Sequence, residues 1–320
     1  MFAINNILRS IHRIQDPNVE RFNILTVCIN SEKYINLLAQ TGHNFYILPQ
    51  HSWNNLIEAQ PSNVQTLQEI SEPLDYIVCY NRAEQYDEMK QVSLQLHVPI
   101  IFVDMCSKPM IRPQHILEIM NPIDTNVLNR PSILHIYNDK HIQQSWQYTG
   151  ASLIIPMGID INKFTNQSST EQYISLDNNT EPKVGGRIVA ATQNLYPVLP
   201  TDHDDTTISV NQSRYFINTY KNITVKTLEA MAAENIVICL KNDDTSSFIQ
   251  HQHTGILIDT IDELSNILTW LEQDKELRIT IAKNARQKII ADHTMESFIQ
   301  KWNIAFNMLK STFYTPTPTL

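Results

Sequence analysis

KNITVKTLEAMAAENIVICL, Lys221 to Leu240, sets Val225, Leu228, Ala232 and Ala233 at three- and four-residue spacing, then runs Ile236 to Leu240 as an unbroken apolar segment. The first pattern predicts a helix packed along one face, and the second a buried parallel strand. One carboxylate, Glu229, stands inside the apolar helical run, where core meets cleft. A helix leading straight into a buried strand is part of a strand-helix-strand unit, and the rest of the chain supplies more of them.

FNILTVCIN (Phe22 to Asn30) reads as a strand, SEKYINLLAQ as a short helix, TG as a turn and HNFYIL (His43 to Leu48) as a second strand. DYIVCYN (Asp75 to Asn81) and PIIFVD (Pro99 to Asp104) repeat the pattern around a helical stretch. So do ILHIYN (Ile133 to Asn138) and SLIIPMG (Ser152 to Gly158) around the helical KHIQQSWQYTG. This alternation predicts an α/β protein with a doubly wound parallel sheet, whose ligands bind beyond the carboxyl ends of the strands. Asn30, Asn81, Asp104 and Asn138 fall on that rim.

From Phe164 to Lys183 the composition turns to Asn, Ser, Thr, Gln and Glu and reads as a linker or surface loop. Beyond it, GRIVAATQN (Gly186 to Asn194) and NIVICL are expected as strands of a second sheet, with TDHDDTTISVNQS a polar loop between them. The stretch DELSNILTW to AFNMLK is helical with breaks near Asp274 and Asp292, and TPTPTL carries no structural signal. The six glycines, Gly42, Gly150, Gly158, Gly185, Gly186 and Gly255, are all expected at turns or close backbone approaches.

At 320 residues the chain suits two domains. Its apolar runs are far shorter than the roughly 18 residues that cross a bilayer. The start, MFAINNILRSIHR, is amphipathic without a signal-type cleavage site, so a soluble, unsecreted, cytoplasmic protein is expected. Cys28, Cys79, Cys106 and Cys239 fall in or just after β-like runs without ligand spacing and read as reduced core thiols. Sequons at Asn166, Asn178, Asn211 and Asn222 matter only in an exported chain. The net charge of −9 excludes a broad cationic nucleic-acid surface, while leaving open a single extruded base as a substrate.

Three stretches together resemble the GT-B glycosyltransferases that use nucleotide sugars, in particular the retaining group called glycosyl transferases group 1. LLAQTGHNFYIL is similar to that family's turn between first helix and second strand. LIIPMGIDINKF (Leu153 to Phe164) is similar to its interdomain "vIPNGID-x-x-x-F", with Met157 for the usual Asn. TVKTLEAMAAENIVICL, followed after Gly255 by GILIDTIDELSNILTWLEQDKELRITIAKNARQKI, is similar to its "LEAMA-x-G-x-P-V-I" and the pattern downstream. The resemblance implies two Rossmann-like domains facing a cleft. Residues 1–160 would bind the acceptor and 161–320 the donor, with a helix at about 294–310 packing back on the first domain.

In that family the donor diphosphate lies at a helix start and the second acid of an E-x7-E motif holds the ribose. The resemblance therefore assigns the donor to Asn222, Ile223, Thr224, Val225, Lys226 and Glu229, with Glu229 on the ribose hydroxyls. It also assigns Arg187, taken as following the first strand of the second domain, to the diphosphate. The chain departs from the pattern in three places. Lys221 stands where the first Glu should be, Thr192 stands where the family keeps a Lys, and the donor half is short by one or two β-α units. Without a metal some cation must stabilise the leaving diphosphate, so Lys221 or Lys226 is expected to supply that charge. Asp104, after PIIFVD, is the candidate for accepting an acceptor proton or stabilising an oxocarbenium-like centre.

Asp202-His203-Asp204-Asp205 follows no apolar strand and gives no metal site, and His251 and His253 read as a turn. VCINSEKY lacks the glycines of a dinucleotide fold, which sets aside an NAD-dependent oxidoreductase. The expectation is a retaining, metal-independent transferase without a cofactor. It would take a nucleotide diphosphate sugar, UDP-sugar favoured, and pass the sugar to a glycan, a lipid-linked glycan, a protein or a modified nucleobase. The alternative is a catalytically inactive binding or scaffold protein of the same fold.

Overall fold

The computed structural model describes residues 20–27, 32–48, 53, 59–66, 73–80, 89, 92–93, 95–105, 133–166, 173–176, 180–192, 195–199 and 206–313. Within them lie two parallel sheets. The first is built from β1 (Asn23–Val27), α1 (Glu32–Ala39), β2 (Asn44–Ile47), β3 (Val64–Thr66), β4 (Tyr76–Tyr80), β5 (Ile100–Asp104), β6 (Ile133–Tyr137), α2 (Lys140–Trp146) and β7 (Ser152–Ile154). Its strand order is β3-β2-β1-β4-β5-β6-β7, all parallel. The winding reverses between β1 and β4, and such a reversal opens a crevice at the carboxyl ends of the strands.

The second sheet follows with β8 (Tyr173–Leu176), α3 (Pro182–Thr192), α4 (Thr206–Gln212), β9 (Ser213–Asn218), α5 (Val225–Ala232), β10 (Ile236–Leu240), α6 (Asp243–Phe248) and β11 (Ile256–Ile258). Its order is β11-β10-β9-β8, again all parallel. Then come α7 (Leu264–Gln273), α8 (Lys275–Asp292) and α9 (Met295–Phe313). The breaks at Asp274 and after Asp292 are local. Asp274 Oδ1 accepts from Leu277 N at 2.9 Å and so caps α8.

Several expectations for the second half are corrected. GRIVAAT, the described part of GRIVAATQN, is helix rather than strand: Val184, Ile188 and Ala191 lie on one face of α3 and pack on the second sheet, a 3.6-residue period that overrides the β-branched composition. Gly185 and Gly186 therefore lie inside a helix, and Gly42 alone among the described glycines has a positive φ, +84°. The presumed linker contains β8, whose Ile174 and Ser175 are completely buried. The presumed loop ends in α4, where Asn211 accepts from Thr165 N at 3.0 Å and donates to Lys163 O at 3.1 Å. Asn30, Asn81, Cys28, Cys106, Asn178, the acidic cluster at 202–205 and the termini lie outside the described residues.

One apolar cluster runs from the first sheet through α5, α8 and α9. α9 returns to the first sheet: Tyr76 Oη donates to Phe306 O at 2.8 Å, and Trp302 and Phe306 are completely buried. The chain thus crosses between lobes twice, near Met157–Ile159 and near His293–Met295. The crossings are tied, since Ile159 N donates to His293 O at 2.8 Å and His293 Nδ1 donates to Met157 O at 3.0 Å. Gly158 is required there because an added Cβ would meet Phe298 Cβ at 2.6 Å and Met295 Cα at 3.2 Å.

Candidate functional site

Because both sheets are parallel, the loops after their strands carry the site. A cavity of about 20 Å³ lies between the lobes. Met105 reaches it from after β5, Asn138 and Asp139 from after β6, Asn222 and Ile223 from before α5, and Asp244 and Phe248 from α6. Met157 and His293 close it at the crossings. Such a volume holds about one water, so the lobes as arranged here are closed on each other.

α5 is positioned from both ends. Thr224 Oγ1 accepts from Thr227 N at 3.2 Å, and Thr227 Oγ1 accepts from Thr224 N at 3.4 Å, so the start is capped reciprocally. Arg286 donates to Ala232 O at its far end and also to Phe164 O at 2.8 Å, which ties the helix to the segment after the first crossing. Lys226 through Ala232 are all buried. The first amides of such a helix and its dipole favour an anion at the Thr224 end.

Glu229 is 5% exposed, and its Oε2 accepts from Lys33 Nζ at 2.6 Å. Lys33 lies on α1, at the switch point of the opposite sheet, so this ion pair spans the two lobes. Lys33 is a site residue that the sequence reading missed. The available signal was its position just beyond β1, where an α/β sheet places ligand-binding side chains. A second contact between lobes joins His141 Nε2 and Asp244 Oδ1 at 3.4 Å.

The other nominated residues divide. Asn222 and Ile223 line the cavity, while Thr224 and Val225 open α5 and Lys226 is buried within it. Lys221 is exposed on the preceding turn and is not part of the cavity wall. Arg187 lies midway along α3 with Asp262 at 2.7 Å, away from the cavity. Its assignment took it as directly following the first strand of the second domain; that strand, β8, ends at Leu176, and Arg187 lies within the next helix instead. Thr192 is likewise a buried helix residue, its hydroxyl donating to Ile188 O at 2.9 Å. Asp104 is completely buried with Oδ2 3.3 Å from His135 Nδ1, and Met105 rather than Asp104 faces the cavity.

Burial holds the His293 imidazole down to about 4, against the lift from its bond to Met157 O, so it is neutral near pH 7. Among the described residues no group of three or more His, Cys, Asp or Glu is placed to hold a metal ion. No described helix is long and apolar enough to cross a membrane.

Residues 189–303 match the family model described as Glycosyl transferase-like. No curated protein matches the chain. Among solved structures, HepE of Anabaena in complex with UDP and glucose is similar at a TM-score of 0.67 and 15% identity, over 90% of this chain and 100% of that one. A glycosyltransferase from Rickettsia africae is similar at 0.64 and 12%, over 93% and 100%. The sucrose-phosphate synthase of Thermosynechococcus elongatus is similar at 0.65 and 11%, over 91% and 100%. The fold is GT-B, two Rossmann-like lobes on parallel sheets.

Proposed function

We propose that the protein is a glycosyltransferase which moves a sugar from a nucleotide diphosphate sugar, a UDP-sugar in the first instance, to an acceptor held by the first lobe. The observation that carries this reading is Glu229, buried on α5 and facing Lys33 of the opposite lobe at 2.6 Å. The family match over residues 189–303 and the UDP bound by HepE support it.

In this reading the lobes part to admit the donor, whose ribose hydroxyls displace Lys33 from Glu229. The diphosphate takes the Thr224 end of α5, and the freed Lys33 moves onto it from across the cleft. As the bond from the anomeric carbon to the diphosphate breaks, negative charge grows on the leaving oxygen. Helix amides with Lys33 and Lys226 would stabilise it, so that no metal is needed, and the sugar would be transferred with retention. Closure over the bound donor excludes water and suppresses hydrolysis. Asp104 acts as the base only if it exchanges His135 for the acceptor hydroxyl. The acceptor favoured is a glycan.

A second reading, a GT-B protein that binds without turnover, is favoured by one observation. Two cations assigned to the donor, Lys221 and Arg187, stand outside the cavity wall.

The two readings part in one experiment. Purified protein is screened by thermal shift against UDP, GDP and their sugars, and then assayed for nucleotide release with mixed glycan acceptors. Transfer predicts stabilisation by a nucleotide sugar, acceptor-dependent release, and a roughly 10- to 100-fold loss of donor affinity in Glu229→Ala, equivalent to about 1–3 kcal/mol. Stabilisation without release across all acceptors supports the second reading.

A further inference from the structure

We propose that Asn138 reads a hydroxyl of the transferred sugar, making this one amide the residue that selects the sugar; the proposal rests on the glycosyl-transfer reading above. Asn138 follows β6 directly and is 5% exposed. Its Oδ1 and Nδ2 are both shut off from solvent, and neither has a hydrogen-bond partner among the described residues. Buried polar groups in folded proteins are nearly always paired. Two unpaired atoms on one buried side chain cost stability, and folding alone gives no reason to keep them.

The surroundings say what the amide faces. Asn138 lines the cavity opposite Asn222 and Ile223. Three of its polar neighbours in the same wall have protein partners, and the fourth, Asn222, is only half-buried. Asp139 Oδ1 accepts from Ile142 N at 2.8 Å, Asp244 faces His141 at 3.4 Å, and His293 Nδ1 donates to Met157 O at 3.0 Å. Asn138 is left holding a donor and an acceptor side by side. Adjacent hydroxyls on a sugar ring each donate and accept, and so can use both at once.

Position along the donor decides which part of it arrives here. Glu229, one turn inside α5, is the ribose residue, and the capped start at Thr224 is the diphosphate end. Asn222 and Ile223 come just before that start and Leu228 lines the same wall from within α5, so the cavity they share with Asn138 lies alongside the capped start, where the diphosphate and the sugar attached to it would sit. Glu229 is not in the cavity wall. A nucleobase, whose edge also pairs with an amide, would lie on the far side of Glu229.

The test compares wild-type and Asn138→Ala protein by calorimetric affinity and thermal shift with UDP, GDP, UDP-glucose, UDP-galactose, UDP-N-acetylglucosamine and GDP-mannose. The expected result has three parts. Affinity for the sugar that wild type prefers falls roughly 10- to 100-fold. Discrimination between that sugar and its epimers collapses. Binding of the bare nucleotide is unchanged, and the ligand-free unfolding midpoint does not fall, because alanine removes the orphaned amide. Asn138→Asp, which keeps an acceptor of the same shape, retains part of the discrimination.

Equal losses for bare UDP and its sugars would assign Asn138 to the nucleotide and overturn the proposal. Unchanged affinities for all donors, or a lowered midpoint with discrimination intact, overturn it as well. Wild-type protein that ignores every nucleotide and nucleotide sugar removes the glycosyl-transfer reading itself, and the proposal with it.

Discussion

At Glu234 the backbone turns left-handed, φ +60°, to end α5. Glu234 N donates to Met231 O at 3.2 Å and Asn235 N to Ala230 O at 2.9 Å, the paired bonds of a Schellman end, which usually places glycine at this position. A side chain there carries steric cost that its weak contact with Arg286, 3.9 Å, does little to offset. Glu234→Gly is therefore expected to raise stability by roughly 0.5–1 kcal/mol, read as a higher urea midpoint at unchanged slope. Glu229 could be found in the sequence because a carboxylate inside an apolar helical run is conspicuous. Its partner could not, since Lys33 is 196 residues away and only the fold brings the two together. Arg187 shows the opposite failure: a plausible charge was assigned to a strand end that is the middle of a helix.

At the scale of elements, α3 holds both Gly185 and Gly186 in its interior, and a Cβ built on Gly186 meets nothing within 4 Å. Gly186→Ala should stabilise the protein by about 0.5–1 kcal/mol, through the entropy of the unfolded chain and through helix propensity. A drop in thermal midpoint would mean that the helix does not exist in solution. Strands with long apolar runs, β4, β5, β6 and β10, could be read directly, because strands buried on both faces carry no competing polar pattern. β8 and β9 were missed for a physical reason. YISL is four residues set among Asn, Ser and Gln, and SRYFIN begins with polar residues whose burial depends on helices packed later.

For the whole molecule, two buried histidines sit where the lobes are joined. His43 faces Asn303 of α9 at 3.0 Å, and His293 fastens the two crossings. Burial holds both imidazoles down to about 4. An unfolded histidine titrates near 6.5, so between these limits the unfolded chain binds protons that the folded chain refuses. Stability is therefore full above about pH 6.5, falls as pH drops through that value, and the loss is complete near pH 4. At pH 5 each histidine should cost about 2 kcal/mol relative to pH 7. Urea titrations at the two pH values test this, and His43→Asn should shrink the difference. The two-lobe architecture was legible from strand-helix alternation and the crossing motif. The closed cleft was not, since it depends on side chains from both lobes meeting in space.

The return of α9 to the first sheet also sets a schedule for synthesis. Tyr76 and Phe22, made early, take their aromatic neighbour Phe306 from residues 295–313, made more than two hundred positions later. A nascent first lobe leaves the ribosome with that side uncovered, sticky and dependent on holding factors, until the helix that seals it has emerged.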